Sequence, residues 1–165
     1  MRRAAVVVLG FLLIFGKIPA YALGDSGRAY EGVEDFSLKN LEGEAVQLSA
    51  VLAQHKLVLL NFWATLCPPC IEETPDLVAL QRANRERSFT VLGVNVGESQ
   101  SRVKNFVSRH LINYPVLLDR QTRVAESYGV VGIPTSILLK SNGEVVGVYH
   151  AVTEKLKRDI EKNLS

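Results

Sequence analysis

The residues best suited to chemistry are Cys67 and Cys70, the two cysteines of the chain, which are separated by two prolines. Two intervening residues let the sulfur atoms meet within one turn as a reducible disulfide. A purely structural role is disfavoured, because a bridge that closes so short a loop constrains little of the unfolded chain. The spacing therefore indicates thiol-disulfide redox chemistry.

The segments beside the cysteines predict that the pair lies where a strand becomes a helix. An apolar run, Leu57 to Leu60, precedes them, and apolar residues at helical spacing follow them. Cys67 fits the N-cap position and Pro68 the first helical position, where a missing N–H costs nothing. A thiolate at a helix N-terminus is stabilised by unpaired N–H groups and by the helix dipole, so its pKa falls.

The first 22 residues have the order of a secretory signal. Arg2 and Arg3 are followed by an uncharged apolar stretch, Ala4 to Phe15, and then by Ala20-Tyr21-Ala22, after which cleavage is predicted. The alternative is an uncleaved membrane anchor, since the apolar character extends to Leu23 and approaches the roughly 20 residues of a spanning helix. Both alternatives export the protein. We expect a linker over 23–32 and one domain over 33–165.

The net charge of the full chain is +2, but this excess belongs to the leader. Without Arg2, Arg3 and Lys17 the remaining chain carries a charge of −1. The charge therefore gives no support to nucleic-acid binding, and no nucleic-acid partner is expected.

The remaining sequence predicts strands that alternate with helices. A hairpin around 36–48 precedes a helical turn capped by Ser49, and Pro75 is expected to kink the helix that follows the cysteines. The later elements are a strand over 57–62, that helix over 68–87, a strand over 89–96, a helix capped by Ser99 or Ser101, a strand over 115–118, a helix over 121–128, a hairpin of 135–139 with 144–149, and a helix from about 153. This order implies crossover connections and a partly parallel sheet.

The order of elements, with Cys67-Pro68-Pro69-Cys70 after the first long strand and Gly132-Ile133-Pro134-Thr135 opening the last hairpin, resembles the thioredoxin fold. Within that fold the chain is most similar to the exported TlpA/ResA-like thiol-disulfide oxidoreductases, over about residues 33–162. The similarity rests on the N-terminal hairpin, on an extra strand and helix between 89 and 110, and on the sequences that flank the cysteines, Leu60-Asn61-Phe62-Trp63-Ala64-Thr65 and Glu72-Glu73-Thr74-Pro75. The resemblance implies an α/β fold with a central mixed sheet flanked by helices.

By this resemblance Cys67 is the exposed nucleophile and Cys70 the more buried thiol that resolves the mixed disulfide. Pro134 corresponds to the cis proline of the family. It would bring the backbone of Ile133 and Thr135 beside the sulfur atoms to dock an extended partner segment, a surface to which Pro68 and Pro69 are also assigned.

Glu73 matches a family carboxylate that tunes the proton affinity of the cysteines. The alternative is a solvated helix glutamate, which is the interpretation given to Glu72. Asn61 replaces the buried Asp of minimal thioredoxins and cannot titrate, so Glu73 or water must accept the Cys70 proton. Leu66 replaces a frequent Trp before the first cysteine, and Trp63 is expected to pack beneath the active-site loop.

No metal site and no bound cofactor are expected. His55, His110 and His150 are scattered, and none stands at metal-ligand spacing from the cysteines. Each is interpreted as a surface or helix-end histidine.

The resemblance implies a periplasmic or otherwise extracytoplasmic reductant of disulfides in exported proteins. The leading substrate is apocytochrome c, and a membrane thiol-reductant carrier of the DsbD/CcdA type would restore the dithiol. The alternatives are a dithiol oxidase or isomerase, or a copper-handling assembly factor that uses the same two cysteines. A peroxiredoxin-type peroxidase is disfavoured, because Asn61 stands where that motif has a proline before Thr65.

Overall fold

The computed structural model describes residues 33–165, which form seven strands and five helices. The elements in chain order are β1 (Ser37–Asn40), β2 (Ala45–Gln47), α1 (Leu48–Gln54), β3 (Leu57–Trp63), α2 (Pro68–Asn84), β4 (Phe89–Val96), α3 (Gln100–Arg109), β5 (Val116–Asp119), α4 (Arg123–Ser127), β6 (Thr135–Lys140), β7 (Val145–Tyr149) and α5 (Glu154–Leu164). The predicted leader and linker lie outside the described residues. None of the helices within 33–165 has the length and apolar character that crossing a bilayer requires.

The seven strands form one mixed sheet in the order β2-β1-β5-β4-β3-β6-β7. Strands β3, β4 and β5 are parallel, whereas β6 is antiparallel to β3, and both hairpins are antiparallel. The parallel strands place their carboxyl ends at one edge, where β3 leads into the cysteines. The α/β class and the mixed sheet predicted from the sequence are confirmed.

The central strand β3 is buried at every position because helices cover both faces of the sheet. Side chains alternate between the two faces, so Leu57 and Leu59 enter one core and Val58 and Leu60 enter the other. Helices α2, α3 and α5 pack on the first face, and α1 and α4 pack on the second. The first face carries the cysteines.

Two predicted helix boundaries are wrong. Ser49 does not cap α1, because Leu48 already begins the helix and the backbone N–H of Ser49 donates to Asp35 Oδ1 at 2.9 Å. Helix α2 ends at Asn84 rather than at Arg87, where the chain turns through Ser88 at a φ of 59°. The Asn84 amide donates to the carbonyl of Leu80, and such side-chain bonding competes with continued helix.

Candidate active site

The two cysteines form a disulfide at the start of α2, as the spacing predicted. Their Cα atoms are 5.2 Å apart. Cys67 is the N-cap residue, and Pro68 follows it at the first helical position. The backbone N–H of Cys70 lies in the first turn, where it has no helical acceptor, and it donates to Cys67 Sγ at 3.3 Å. Cys67 is half-buried and Cys70 is 2% exposed. A partner therefore reaches the first sulfur atom more readily than the second.

The loop before β6 brings a second segment against the disulfide. The Ile133–Pro134 peptide bond is cis, and the carbonyl oxygen of Ile133 lies 3.6 Å from Cys67 Sγ. Thr135 is buried, and its hydroxyl donates to the carbonyl of Gly132 at 2.7 Å. Of the residues assigned to docking, Ile133 therefore places a backbone group beside the sulfur, while the hydroxyl of Thr135 is engaged within its own loop.

Apolar side chains are exposed on both segments that meet at Cys67. Leu66 precedes the cysteine and is 73% exposed, and Val131 precedes the cis-proline loop and is fully exposed. Pro68 and Pro69 are exposed as well. Leu66 keeps an apolar side chain at the position where the family that the sequence resembles frequently has Trp. The surface around the sulfur therefore suits a partner segment with apolar residues.

A buried carboxyl group lies on the face of α2 that also carries Cys70. Glu73 is 7% exposed and shares a face of α2 with Cys70, three residues earlier, whereas Glu72 is exposed. Asn61 on β3 donates to Glu73 Oε1 at 2.9 Å and to the hydroxyl of Ser136 on β6 at 2.9 Å. The amide of Asn61 thus joins the carboxyl group to the sheet.

Burial raises the pKa of Glu73 above its ordinary value, the hydrogen bond from Asn61 opposes this shift, and the negative charge of Asp76 adds to it. Tyr114 is buried close to the same group, and its pKa is raised by burial and by the charge of Glu73. Glu73 therefore keeps its proton to a higher pH than a glutamate exposed to water does. Such a carboxyl group can take up or release a proton near Cys70.

Trp63 packs in the core on the α2 side of the sheet. It is 3% exposed, and its ring lies 5.1 Å from that of Phe106 on α3. Its indole nitrogen approaches β4 where Gly93 has no side chain, and a Cβ atom built there would lie 3.0 Å from Trp63 Nε1. Pro75 lies inside α2.

The sequence prediction missed Ser136, Tyr114 and Glu98. Glu98 in the β4–α3 loop accepts hydrogen bonds from Thr65, the second residue before Cys67. The three side chains come from segments distant in the chain and belong to no local motif. The polar residue Ser136 in the buried strand β6 was the one signal available, because a buried hydroxyl requires a partner.

The histidines occupy the positions expected for surface and helix-end residues. His55 and His110 follow the last residues of α1 and α3, and His150 is exposed at the end of β7, with Nδ1 3.2 Å from the Thr135 hydroxyl. Across residues 33–165, no three His, Cys, Asp or Glu side chains are grouped as metal ligands would be.

Comparison with known proteins agrees with this geometry. Residues 31–148 match the model of the AhpC/TSA family. The chain is 37% identical over 122 residues to the thiol-disulfide oxidoreductase ResA of Halalkalibacterium halodurans, covering 74% of this chain and 68% of that protein. It is 34% identical over 171 residues to ResA of Geobacillus kaustophilus, covering 99% of this chain and 92% of that protein.

Solved structures that are similar to this chain also belong to thiol-disulfide proteins. The chain is similar to a thiol:disulfide interchange protein of the thioredoxin family from Chlorobium tepidum, with 32% identity and a TM-score of 0.69 over 86% of this chain and all of that one. It is also similar to the thioredoxin domain of a thiol-disulfide oxidoreductase from Bacteroides vulgatus, with 26% identity and a TM-score of 0.75 over 85% of this chain and all of that one.

Proposed function

Because the chain belongs to the AhpC/TSA family and is a ResA-like thiol-disulfide oxidoreductase, we propose that its physiological role is to reduce disulfides in exported proteins. The observation that carries the proposal is the buried Glu73 carboxyl group, which shares a helix face with Cys70 and is held by Asn61. When Glu73 is ionised, its negative charge on the same helix face disfavours the thiolates of the dithiol. A reduced form that is poorly stabilised gives up its electrons readily, so the site supports a reductant.

In the reaction, the Cys67 thiolate attacks one sulfur atom of the substrate disulfide. A mixed disulfide forms, and the other substrate sulfur leaves as a thiolate and takes a proton. Glu73 then receives the proton of Cys70, whose thiolate attacks Cys67 Sγ. The Cys67–Cys70 disulfide forms, and the substrate leaves with two thiols, so two electrons have moved from the protein to the substrate.

Docking uses the segments that meet at Cys67. An extended partner strand binds along Ile133, whose carbonyl oxygen faces the sulfur atom, and its side chains contact Leu66, Pro68 and Pro69. Backbone pairing of this kind accepts many sequences. Specificity then comes from apolar residues next to the partner's cysteine.

The proposed location is periplasmic or otherwise extracytoplasmic, reached through the N-terminal signal or anchor. The leading substrate is oxidised apocytochrome c, whose haem-attachment motif carries two cysteines that must be reduced. A membrane thiol carrier of the DsbD/CcdA type would return two electrons to Cys67 and Cys70.

The test is reduction of an oxidised peptide that contains a C-x-x-C-H sequence by the reduced protein. We expect stoichiometric appearance of peptide thiols, and with Cys70→Ser a trapped mixed disulfide between Cys67 and the peptide. Cys67→Ser is the matched control and should trap little, because Cys70 is buried. If the reduced protein leaves the peptide disulfide intact while the oxidised protein forms that disulfide from peptide thiols, the dithiol-oxidase alternative replaces the proposal.

A further inference from the structure

Glu98, in the loop between β4 and α3, binds the segment that leads into Cys67. Its Oε2 accepts from the backbone N–H of Thr65 at 2.7 Å, and its Oε1 accepts from the Thr65 hydroxyl at 2.6 Å. Asn95, a fully buried residue of β4, donates to Oε2 at 2.7 Å. Both oxygens of one carboxylate thus hold a single residue of the neighbouring loop.

The groups around the carboxylate favour its ionised form, because all three donate hydrogen bonds to it. Burial raises the pKa of Glu98, but the hydrogen bonds from Asn95 and Thr65 and the charge of Arg102, 3.9 Å away, outweigh that effect and lower the pKa overall. Hydrogen bonds between a charged acceptor and neutral donors are stronger than neutral pairs. The contact with Thr65 therefore restrains the loop firmly at neutral pH.

The restrained loop is short. Only residues 64–66 separate the end of β3 from Cys67, and Thr65 is the middle one. The loop is closed by a hydrogen bond from Cys67 N to the carbonyl of Ala64 at 3.3 Å. Fixing Thr65 therefore fixes where Cys67 enters α2, and with it the distance from Cys67 Sγ to the Ile133 carbonyl.

The β4–α3 loop that carries Glu98 is itself anchored. The backbone N–H of Gly97 donates to the carbonyl of Asp119 on β5 at 2.9 Å. Gly97 has a φ of 75°, a conformation that glycine adopts without strain. The carboxylate thus extends from a fixed point on the sheet rather than from a free surface loop.

We propose that Glu98 is a positioning residue for the nucleophile: by binding Thr65 through both carboxylate oxygens, it holds the Cys67 sulfur at the N-terminus of α2 beside Ile133. The inference rests on the proposed role of Cys67 as the nucleophile, but not on the direction of the reaction or on the substrate. It requires the length of the glutamate side chain more than its charge.

The test uses a Cys70→Ser background, in which Cys67 is the only thiol. Its thiolate attacks the disulfide of 5,5′-dithiobis(2-nitrobenzoate), forms a mixed disulfide and releases one coloured thiolate, so the rate against pH reports Cys67 alone. Adding Glu98→Ala should slow the reaction about tenfold at neutral pH, because a misplaced reacting atom loses a substantial factor in rate. The apparent pKa of Cys67 should rise as the contact of its sulfur with the backbone N–H at position 70 loosens.

Two further variants separate position from charge. Glu98→Gln can still accept from Thr65 N and Asn95 while its amide donates to the Thr65 hydroxyl, so the rate should stay within about threefold of the parent. Glu98→Asp keeps the charge but draws the carboxylate back by one methylene, and it should react more slowly than Glu98→Gln. This pair also carries the test if Glu98→Ala does not fold.

Asp35→Ala is the matched control, since Asp35 likewise accepts from a backbone N–H and a side-chain amide, those of Ser49 and Gln47, beside α1 on the opposite face of the sheet. It should lower the melting temperature and leave the rate profile unchanged. The proposal is overturned if Glu98→Ala and Glu98→Asp match the parent profile, or if Glu98→Gln is slower than Glu98→Asp. A parent thiol that does not react would contradict the nucleophile assignment and, with it, the role of Glu98.

Discussion

Two adjacent glutamates of α2 have opposite environments, and this difference decides which one can act on the cysteines. Glu72 is exposed, while Glu73 faces the sheet and is bound by Asn61. Asn61 cannot take a proton, so it supports Glu73 by donating a hydrogen bond without competing for the proton. A carboxyl group that must be desolvated to ionise is suited to exchange protons with a nearby thiol.

Glu73→Gln should remove a pH dependence of stability. Because the pKa of Glu73 is raised in the folded state, the wild-type protein loses stability as the pH rises from the ordinary carboxyl pKa through the raised one. Glutamine keeps the acceptor for Asn61 without the buried charge. Urea unfolding from pH 4 to pH 8 should show the variant more stable than the wild type above the transition and less dependent on pH.

Glu72→Gln is the control for that experiment, because its carboxyl group is exposed. It should leave the pH dependence of unfolding as in the wild type. If Glu73→Gln and Glu72→Gln give the same curve of unfolding free energy against pH, burial of the Glu73 carboxyl group does not govern its protonation.

The residues of the disulfide and the cis-proline loop were readable from the sequence, because each belongs to a short local pattern. Cys67 and Cys70 are three residues apart, and Ile133, Pro134 and Thr135 are consecutive. The contact between Thr65 and Glu98 joins residues 33 positions apart and depends on the loop after β4. No local spacing encodes it, so only the folded structure brings it into view.

Among the elements, β4 passes very close to two aromatic rings on the face of the sheet that carries the cysteines. A Cβ atom at Gly93 would lie 3.0 Å from Trp63 Nε1 and 3.2 Å from Tyr114 Cε2. Both rings are buried and fixed by packing, so neither moves away freely. Gly93 is therefore required by space rather than by backbone conformation.

Gly93→Ala should destabilise the protein by about 1–3 kcal/mol, because an extra methyl group must displace the rings of Trp63 and Tyr114. Chemical denaturation measures the change, and the fluorescence of Trp63, the single tryptophan, should shift with it. Gly132→Ala is the comparison, since no heavy atom lies within 4 Å of the added carbon, and its effect should stay below about 1 kcal/mol. Equal stabilities of the two variants would contradict the packing account.

The sequence predicted the elements with different accuracy, and the causes are physical. Strand β4 was predicted with its observed limits, because β-branched residues fill it and polar segments bound it. The end of α2 was placed three residues too late, since the helical pattern continues past the Asn84 side chain that competes for the backbone. Helix ends depend on such individual contacts more than on periodicity.

On the scale of the whole molecule, the sheet order gathers the site from distant segments. The cysteines follow β3, Glu98 follows β4, and the cis proline immediately precedes β6, which lies on the other side of β3. The antiparallel pairing of β1 with β5 extends this sheet beyond its parallel centre. The α/β class was predictable from alternating elements, but the pairing of β1 with β5 was not, because strand partners are set by tertiary packing.

The reduction potential of the Cys67–Cys70 couple decides whether the protein works as a reductant. Equilibration in dithiothreitol and glutathione buffers, with alkylation of free thiols, gives this value, and the Cys67→Ser, Cys70→Ser double variant supplies the baseline. We expect a potential near or below that of thioredoxin, about −270 mV. A value near that of the strong oxidant DsbA, about −120 mV, would contradict this expectation and assign the protein to disulfide formation.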